Sequence, residues 1–193
     1  MVGHYITVNN HPIFGYSRYV DLYATVVNDS KDDELFVEVG SFLGQSTAAL
    51  AALVAASRKR IAIHAVDLFE LSEYSDEPHF DVIKQHGGDF LEAFKTNMRS
   101  AGVLDAVKIV KAPSLEAAKQ YEDRSISFLM IDASHKYTDV VDDIRAWLPK
   151  IKLGGIISGD DFDWSEVAQA VKDTIPQYKL YNESTWFYIK QTL

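Results

Sequence analysis

Residues 36–47, FVEVGSFLGQST, constrain the fold of this 193-residue chain more than any other stretch. An apolar lead runs into Glu38, Gly40 and Gly44, and an alanine-rich segment follows over 48–56. That order spells a buried strand, a tight glycine turn and a helix N-terminus. Such a turn leaves backbone N–H groups open to the close approach of a ligand's polar groups. The rhythm continues downstream, where strands alternate with helices as in a parallel sheet with crossover connections. The pattern predicts strands over 35–39, 61–66, 107–110, 126–131 and 156–158. Helices are predicted over 46–57, from Phe90 to a stop at Gly102, over 138–148, and from an Asp163–Glu166 capping box to about residue 174. Gly154-Gly155 reads as the turn into the strand at 156–158. In the tail, 178–181 and 185–189 flank Asn182-Glu183-Ser184, a connection so short that the pair must be antiparallel.

Residues 1–30 read as an arm rich in aromatic residues (Tyr5, Phe14, Tyr16, Tyr19) with one helix over 17–28. It either covers a ligand as a lid or packs onto the domain formed by 31–193. The stretch 70–88 has no period and is expected to be irregular, a segment able to cover a substrate. Composition narrows the partners. A net charge of −9 repels phosphate backbones and argues against nucleic acid. The absence of cysteine excludes disulfides, thiolate nucleophiles and zinc–thiolate sites, in keeping with a cytoplasmic protein. No secretory segment or bilayer-length apolar run is present, so the expectation is a soluble domain without a membrane partner.

Three acidic signals fall where predicted strands end: Asp67, Asp132 and the pair Asp160-Asp161. In open parallel sheets, ligands bind outside the carboxyl ends of the strands, so these acids share an edge with the glycine turn. E-x-G-x-x-x-G is neither the dinucleotide fingerprint nor a phosphate-gripping loop, which points to a nucleoside with an uncharged linker. Asp67 lies about 20 residues past the turn, where an acid accepts ribose hydroxyls; the competing reading is a helix cap. If the strands ending at Asp132 and Asp160 are neighbours, roughly 4.8 Å apart, Asp132, Asp160 and Asp161 could share one divalent ion. Oxygen ligands favour Mg²⁺, Mn²⁺ or Ca²⁺. Without a cation, such carboxylates raise one another's pKa; the alternative is that one caps a helix and another a turn. His135, beside these acids, is the candidate general base. His64 fits a satisfied core histidine, and His79 and His86 fall in the segment able to meet a ligand.

Residues 36–47, Val66-Asp67-Leu68-Phe69, 128–137 and 147–162 together resemble a class I S-adenosylmethionine-dependent methyltransferase. The branch is the small one with I-D-x-x-H-x-Y, then D-I-x-x-W-x-P-x-[ILV]-x-x-G-G and an acidic strand end, and the resemblance spans about residues 34–190. It implies an α/β fold: a seven-stranded, mostly parallel sheet in the order 3-2-1-4-5-7-6, strand seven antiparallel, with helices on both faces. It implies that Glu38, Gly40 and Ser41 line the methionine part of the cofactor, with Gly44 in the same turn. Asp67 would take the ribose, Leu68 would pack on the adenine, and Ala112 and Ser114 would meet its edge. Asp132 would stand where cofactor and acceptor meet. The set Asp132, His135, Asp160, Asp161 is similar to that of metal-dependent sugar O-methyltransferases of macrolide biosynthesis, in which three acids hold Mg²⁺ and the histidine is the base. Catechol-type enzymes complete the metal set with Asn, whereas Phe162 and Asp163 follow the acidic pair here.

The expectation is therefore a metal-assisted O-methyltransferase acting on a hydroxyl of a small molecule or sugar. The rivals are a metal-independent N- or carboxyl-methyltransferase, a catalytically silent cofactor-binding module and, against the missing fingerprint, a nicotinamide oxidoreductase. Self-association stays open.

Overall fold

The computed structural model describes residues 3–71 and 77–191. The chain begins with an antiparallel hairpin, β1 (His4–Val8) and β2 (His11–Gly15). Its turn residues, Asn9 and Asn10, have φ of 48° and 68°, a left-handed conformation that asparagine tolerates and two-residue hairpins require. The stretch read as an aromatic-rich arm before the first helix thus carries two strands. Val8 and Ile13 from this hairpin join the core beside the first helices. Helix α1 (Val20–Asp29) begins later than expected, because the Ser17 N–H and hydroxyl are both given to Gln45 Oε1, at 3.1 and 2.7 Å.

The sheet is built from β3 (Glu34–Val39), β4 (Ile61–Asp67), β5 (Val107–Lys111), β6 (Ile126–Ile131), β7 (Ile151–Gly159), β8 (Lys179–Leu180) and β9 (Trp186–Ile189). Their spatial order is β5-β4-β3-β6-β7-β9-β8, with β9 antiparallel to β7 and β8 and the rest parallel. Counted within the sheet this is 3-2-1-4-5-7-6, the expected order. Period-two alternation sorts the core into two layers. Phe36, Ile63 and Phe128 face α1, α2 (Gln45–Ser57) and the helix Leu91–Ser100 (α4). Val37, Val66 and Leu129 face α5 (Ser114–Ala118), α6 (Tyr137–Trp147) and α7 (Ser165–Thr174).

Four details depart from the sequence reading. Helix α3 (Glu77–Gln85) forms inside the stretch expected to be irregular, with Ile83 buried. The short α5 was not anticipated. Strand β7 starts at Ile151 and runs through Gly154-Gly155, with a bulge: Ile126 pairs with Ile151 but Phe128 with Ile156. Gly154 takes a φ of 77° there, which glycine supplies without strain. The Asp163–Glu166 capping box does not form. Arg18 claims Asp163, and Glu166 Oε2 accepts the Tyr137 N–H at 2.8 Å, so neither carboxylate caps α7. Among the described residues, no helix is long and apolar enough to cross a membrane.

Candidate active site

The carboxyl ends of β3, β4, β6 and β7 open into a cavity of about 470 Å³. Gly40, Ser41, Asp67, Leu68, Ala112, Ser114, Asp132, His135, Asp160 and Asp161 all border it. Tight packing shapes the glycine turn. Gly40 sits at φ 88°, and a Cβ there would fall 1.8 Å from the Asp132 carbonyl oxygen. Gly44 sits at φ 86° and packs against Phe94 and Met98 rather than bordering the cavity. Ser41 Oγ is buried and, among the described residues, has no hydrogen-bond partner.

Glu38, expected to line the methionine part of the cofactor, stands behind the cavity wall and does not itself border it. Its carboxylate is fully buried and spoken for: Ser46 (2.5 Å) and Thr47 (3.2 Å) donate to Oε1, and Tyr23 (3.1 Å) donates to Oε2. Burial pushes its pKa up to about 7 despite these donors. What reaches the cavity is Ser46, oriented by Glu38. Asp67 holds two loops together, accepting the Phe42 N–H at 2.8 Å and the Phe69 N–H at 2.7 Å. Burial raises its pKa, and those backbone donors oppose the rise. A carboxylate has about four lone-pair sites, so capacity for hydroxyl donors remains. Ser114 gives its proton to Asp143 (2.5 Å) and accepts the Trp147 Nε1–H (2.9 Å).

The acidic end is arranged differently from the expected three-carboxylate set. Ile131 and Gly159 pair across β6 and β7, so Asp132 and Asp160 do follow neighbouring positions. Yet Asp160 turns to the tail, accepting from Ser184 (2.8 Å) and Thr185 (3.1 Å) on Oδ1. The side chains whose ligand atoms converge within 4.8 Å are Asp132, His135 and Asp161. Asp161, at φ 57°, reaches His135 Nε2 with Oδ2 at 2.6 Å, while the imidazole lies 4.5 Å from the Trp164 ring. Burial first, then the neighbouring acids, holds Asp132 well above the ordinary carboxylate range, and Asp160 is raised likewise.

Two residues on the segment before α1 complete this end. Arg18 donates to Asp161 at 3.0 Å and to Asp163 at 2.9 Å, and its Nε lies 3.8 Å from Asp160. Tyr19, fully buried, donates its hydroxyl to Asp132 at 2.6 Å. Sequence reading placed Tyr19 only among arm aromatics and did not single out Arg18; both meet partners more than 100 positions away, with no local signal. His79 also borders the cavity, against Tyr16 and Phe42 at 4.6 and 5.0 Å between ring centres, whereas His86 does not border it. His64 meets the Tyr121 hydroxyl at 3.0 Å, away from the cavity.

The model of a family described as "Methyltransferase domain" matches residues 37–162, about two thirds of the chain. The chain belongs to that family, and it is a class I S-adenosylmethionine-dependent methyltransferase. Among solved structures, the O-methyltransferase NovP superposes with a TM-score of 0.70 at 14% identity, covering 90% of this chain and 79% of its own. CalS11, a TDP-rhamnose 3'-O-methyltransferase of calicheamicin biosynthesis, gives 0.58 at 16%, covering 88% and 76%. A SAM-dependent O-methyltransferase from Thermotoga maritima gives 0.59 at 13%, covering 99% and 78%. At these identities the likeness is one of fold. No curated protein sequence matches the chain.

Proposed function

We propose that this methyltransferase acts on a hydroxyl group of a small molecule or sugar, with His135 as the base. The observation that carries this is the 2.6 Å contact between Asp161 Oδ2 and His135 Nε2 on the cavity wall. S-adenosylmethionine, when bound, supplies an electrophilic methyl group on a sulfonium. The residues present fit it: a cavity of ligand size, a buried Ser41 hydroxyl without a partner, and acids facing a cationic centre. Asp161 orients the imidazole through Nε2 and stabilises the charge that His135 gains on taking the acceptor's proton. The acceptor oxygen, relieved of its proton by His135, would be the nucleophile toward that methyl group, and a neutral thioether would leave. His135 then returns the proton to water. Positioning by the rigid glycine turn supplies much of the acceleration.

A second reading keeps a divalent cation. Asp132, His135 and Asp161 would hold it, and it would lend Lewis acidity to the acceptor oxygen. The donor set fits only in part, since Asp160 faces the tail and Arg18 already neutralises Asp161. On this reading His135 is a ligand, not the base. Assays of the wild type, H135A and D161N with and without EDTA and added Mg²⁺ separate the cases. Loss of transfer in both variants together with indifference to EDTA supports the histidine–aspartate pair. Full transfer in H135A overturns the proposal.

A further inference from the structure

Part of the cavity wall is aromatic and takes no part in the transfer described above. Tyr16, Phe42 and His79 all border the cavity, and each is half-buried. Their ring centres lie 4.6 Å apart for Tyr16 and His79, 5.0 Å for Phe42 and His79, and 6.1 Å for Tyr16 and Phe42. The planes cross at 62°, 87° and 43°, so the three rings make a corner and not a stack. Phe90 and Ile83, both buried, extend this apolar wall. Phe42 takes a φ of 46°, a left-handed backbone that bulky residues rarely adopt. The fold thus holds a ring at this point of the glycine turn against its own backbone preference, and such strain gathers where a ligand is met.

Two connections bring the corner to the reacting edge. Tyr16 precedes Tyr19 by three residues, at most about 10 Å of chain, and the Tyr19 hydroxyl donates to Asp132 at 2.6 Å. Phe42 follows Gly40 by two residues, and Gly40 packs against the Asp132 carbonyl. A small ring seated in the corner can therefore present a substituent to the edge where His135 meets Asp161.

Charge narrows the ligand further. Glu70, Glu116, Asp139 and Asp142 border the cavity along with the acids at the strand ends, and among the described residues no lysine or arginine does. Lys111 and Lys119 pair with Glu70 and Glu116 at 3.4 and 2.6 Å, but neither borders the cavity. A phosphate or carboxylate on the acceptor would enter an acidic cleft and find no counter-charge on its wall. An uncharged aromatic ring meets no such penalty and gains edge-to-face contact in the corner.

We propose that the corner of Tyr16, Phe42 and His79 seats the acceptor, and that the acceptor is a phenol carrying no anionic group. This rests on the hydroxyl-transfer reading above and narrows its acceptor from small molecules and sugars to aromatic rings.

The test is calorimetric titration of the protein loaded with S-adenosylhomocysteine, using three probes. They are 4-ethylphenol, its anionic near-isostere 4-hydroxyphenylacetate, and uridine diphosphate glucose. The wild type is expected to bind 4-ethylphenol at least about tenfold more tightly than either anion. Y16A and H79A should each weaken 4-ethylphenol about tenfold, the scale of one aromatic contact, whereas Y16F, which keeps the ring, should retain it. Affinity for S-adenosylhomocysteine itself should stay within about twofold in all three variants. Binding of 4-ethylphenol that is no tighter than that of either anion overturns the proposal, and so does full affinity for it in both alanine variants. A loss confined to S-adenosylhomocysteine assigns the corner to the cofactor and overturns it as well. No turnover is involved, so full transfer in H135A would overturn the base assigned above and leave this seat standing, a distinguishable result.

Discussion

Glu38→Gln is expected to make the protein more stable at alkaline pH while weakening its grip on the cofactor. Glu38 is wholly buried, and burial lifts its pKa from 4.5 to about 7. In the unfolded chain the group ionises near its ordinary value. Between about pH 4.5 and 7, therefore, the folded state binds the extra proton, and stability from this group is lost as pH rises through the folded pKa. At about 1.4 kcal/mol per pKa unit, the loss is on the order of 3 kcal/mol by pH 8. Glutamine keeps an acceptor oxygen for Ser46 and Thr47 and carries no charge at any pH. Urea unfolding at pH 5 and pH 8 measures the difference. The two proteins should agree within about 1 kcal/mol at pH 5, and the variant should lead by about 3 kcal/mol at pH 8. An unchanged difference across that range would refute the argument, because it would mean that Glu38 is not neutralised by burial. Cofactor affinity measured alongside should fall, since Ser46, which borders the cavity, loses its charged acceptor.

Gly40→Ala should lower stability by at least about 1–2 kcal/mol from the positive φ alone, and cofactor binding should drop with it, because the added carbon meets backbone at Asp132; calorimetry and urea unfolding check both. Arg18→Gln removes the cation beside Asp161 and should tighten Mn²⁺ binding about tenfold, worth about 1.4 kcal/mol, in a titration without substrate; equal or weaker binding counts against the ion-pair account. Lys190→Met leaves the carbonyls of Leu148, Pro149 and Ile151 without their shared donor and should cost about 1–3 kcal/mol in thermal unfolding.

How much of this was legible depends on where the information lies along the chain. Parallel strands buried on both faces are continuous apolar runs, so β3, β4 and β6 could be read directly, and the short tail connection revealed the antiparallel strand. The hairpin escaped because β1 has only Val8 fully buried, leaving no alternation to detect. Helix α3 escaped because its inward face shows little beyond Ile83. The acids at strand ends were found by position, but a carboxylate's direction depends on remote partners. Ser184 and Thr185 draw Asp160 away, and Arg18 arrives from the other end of the chain. Asp143 was visible as the first residue of the D-I-x-x-W signature without a task; only folding brings it to Ser114.

The turn before β9 and the segment before α1 meet over the acidic pair, since the Asn182 side chain donates to the Arg18 carbonyl at 3.3 Å. The segment before α1 and the turn before β9 are thus stitched together over the acidic edge of the cavity. During synthesis, domains take shape from the N-terminus onward as the chain emerges. Asp160 therefore waits for Ser184 and Thr185, made 24 and 25 residues after it, before its carboxylate finds these donors. A nascent chain stalled short of β9 would therefore display an unfinished acidic edge.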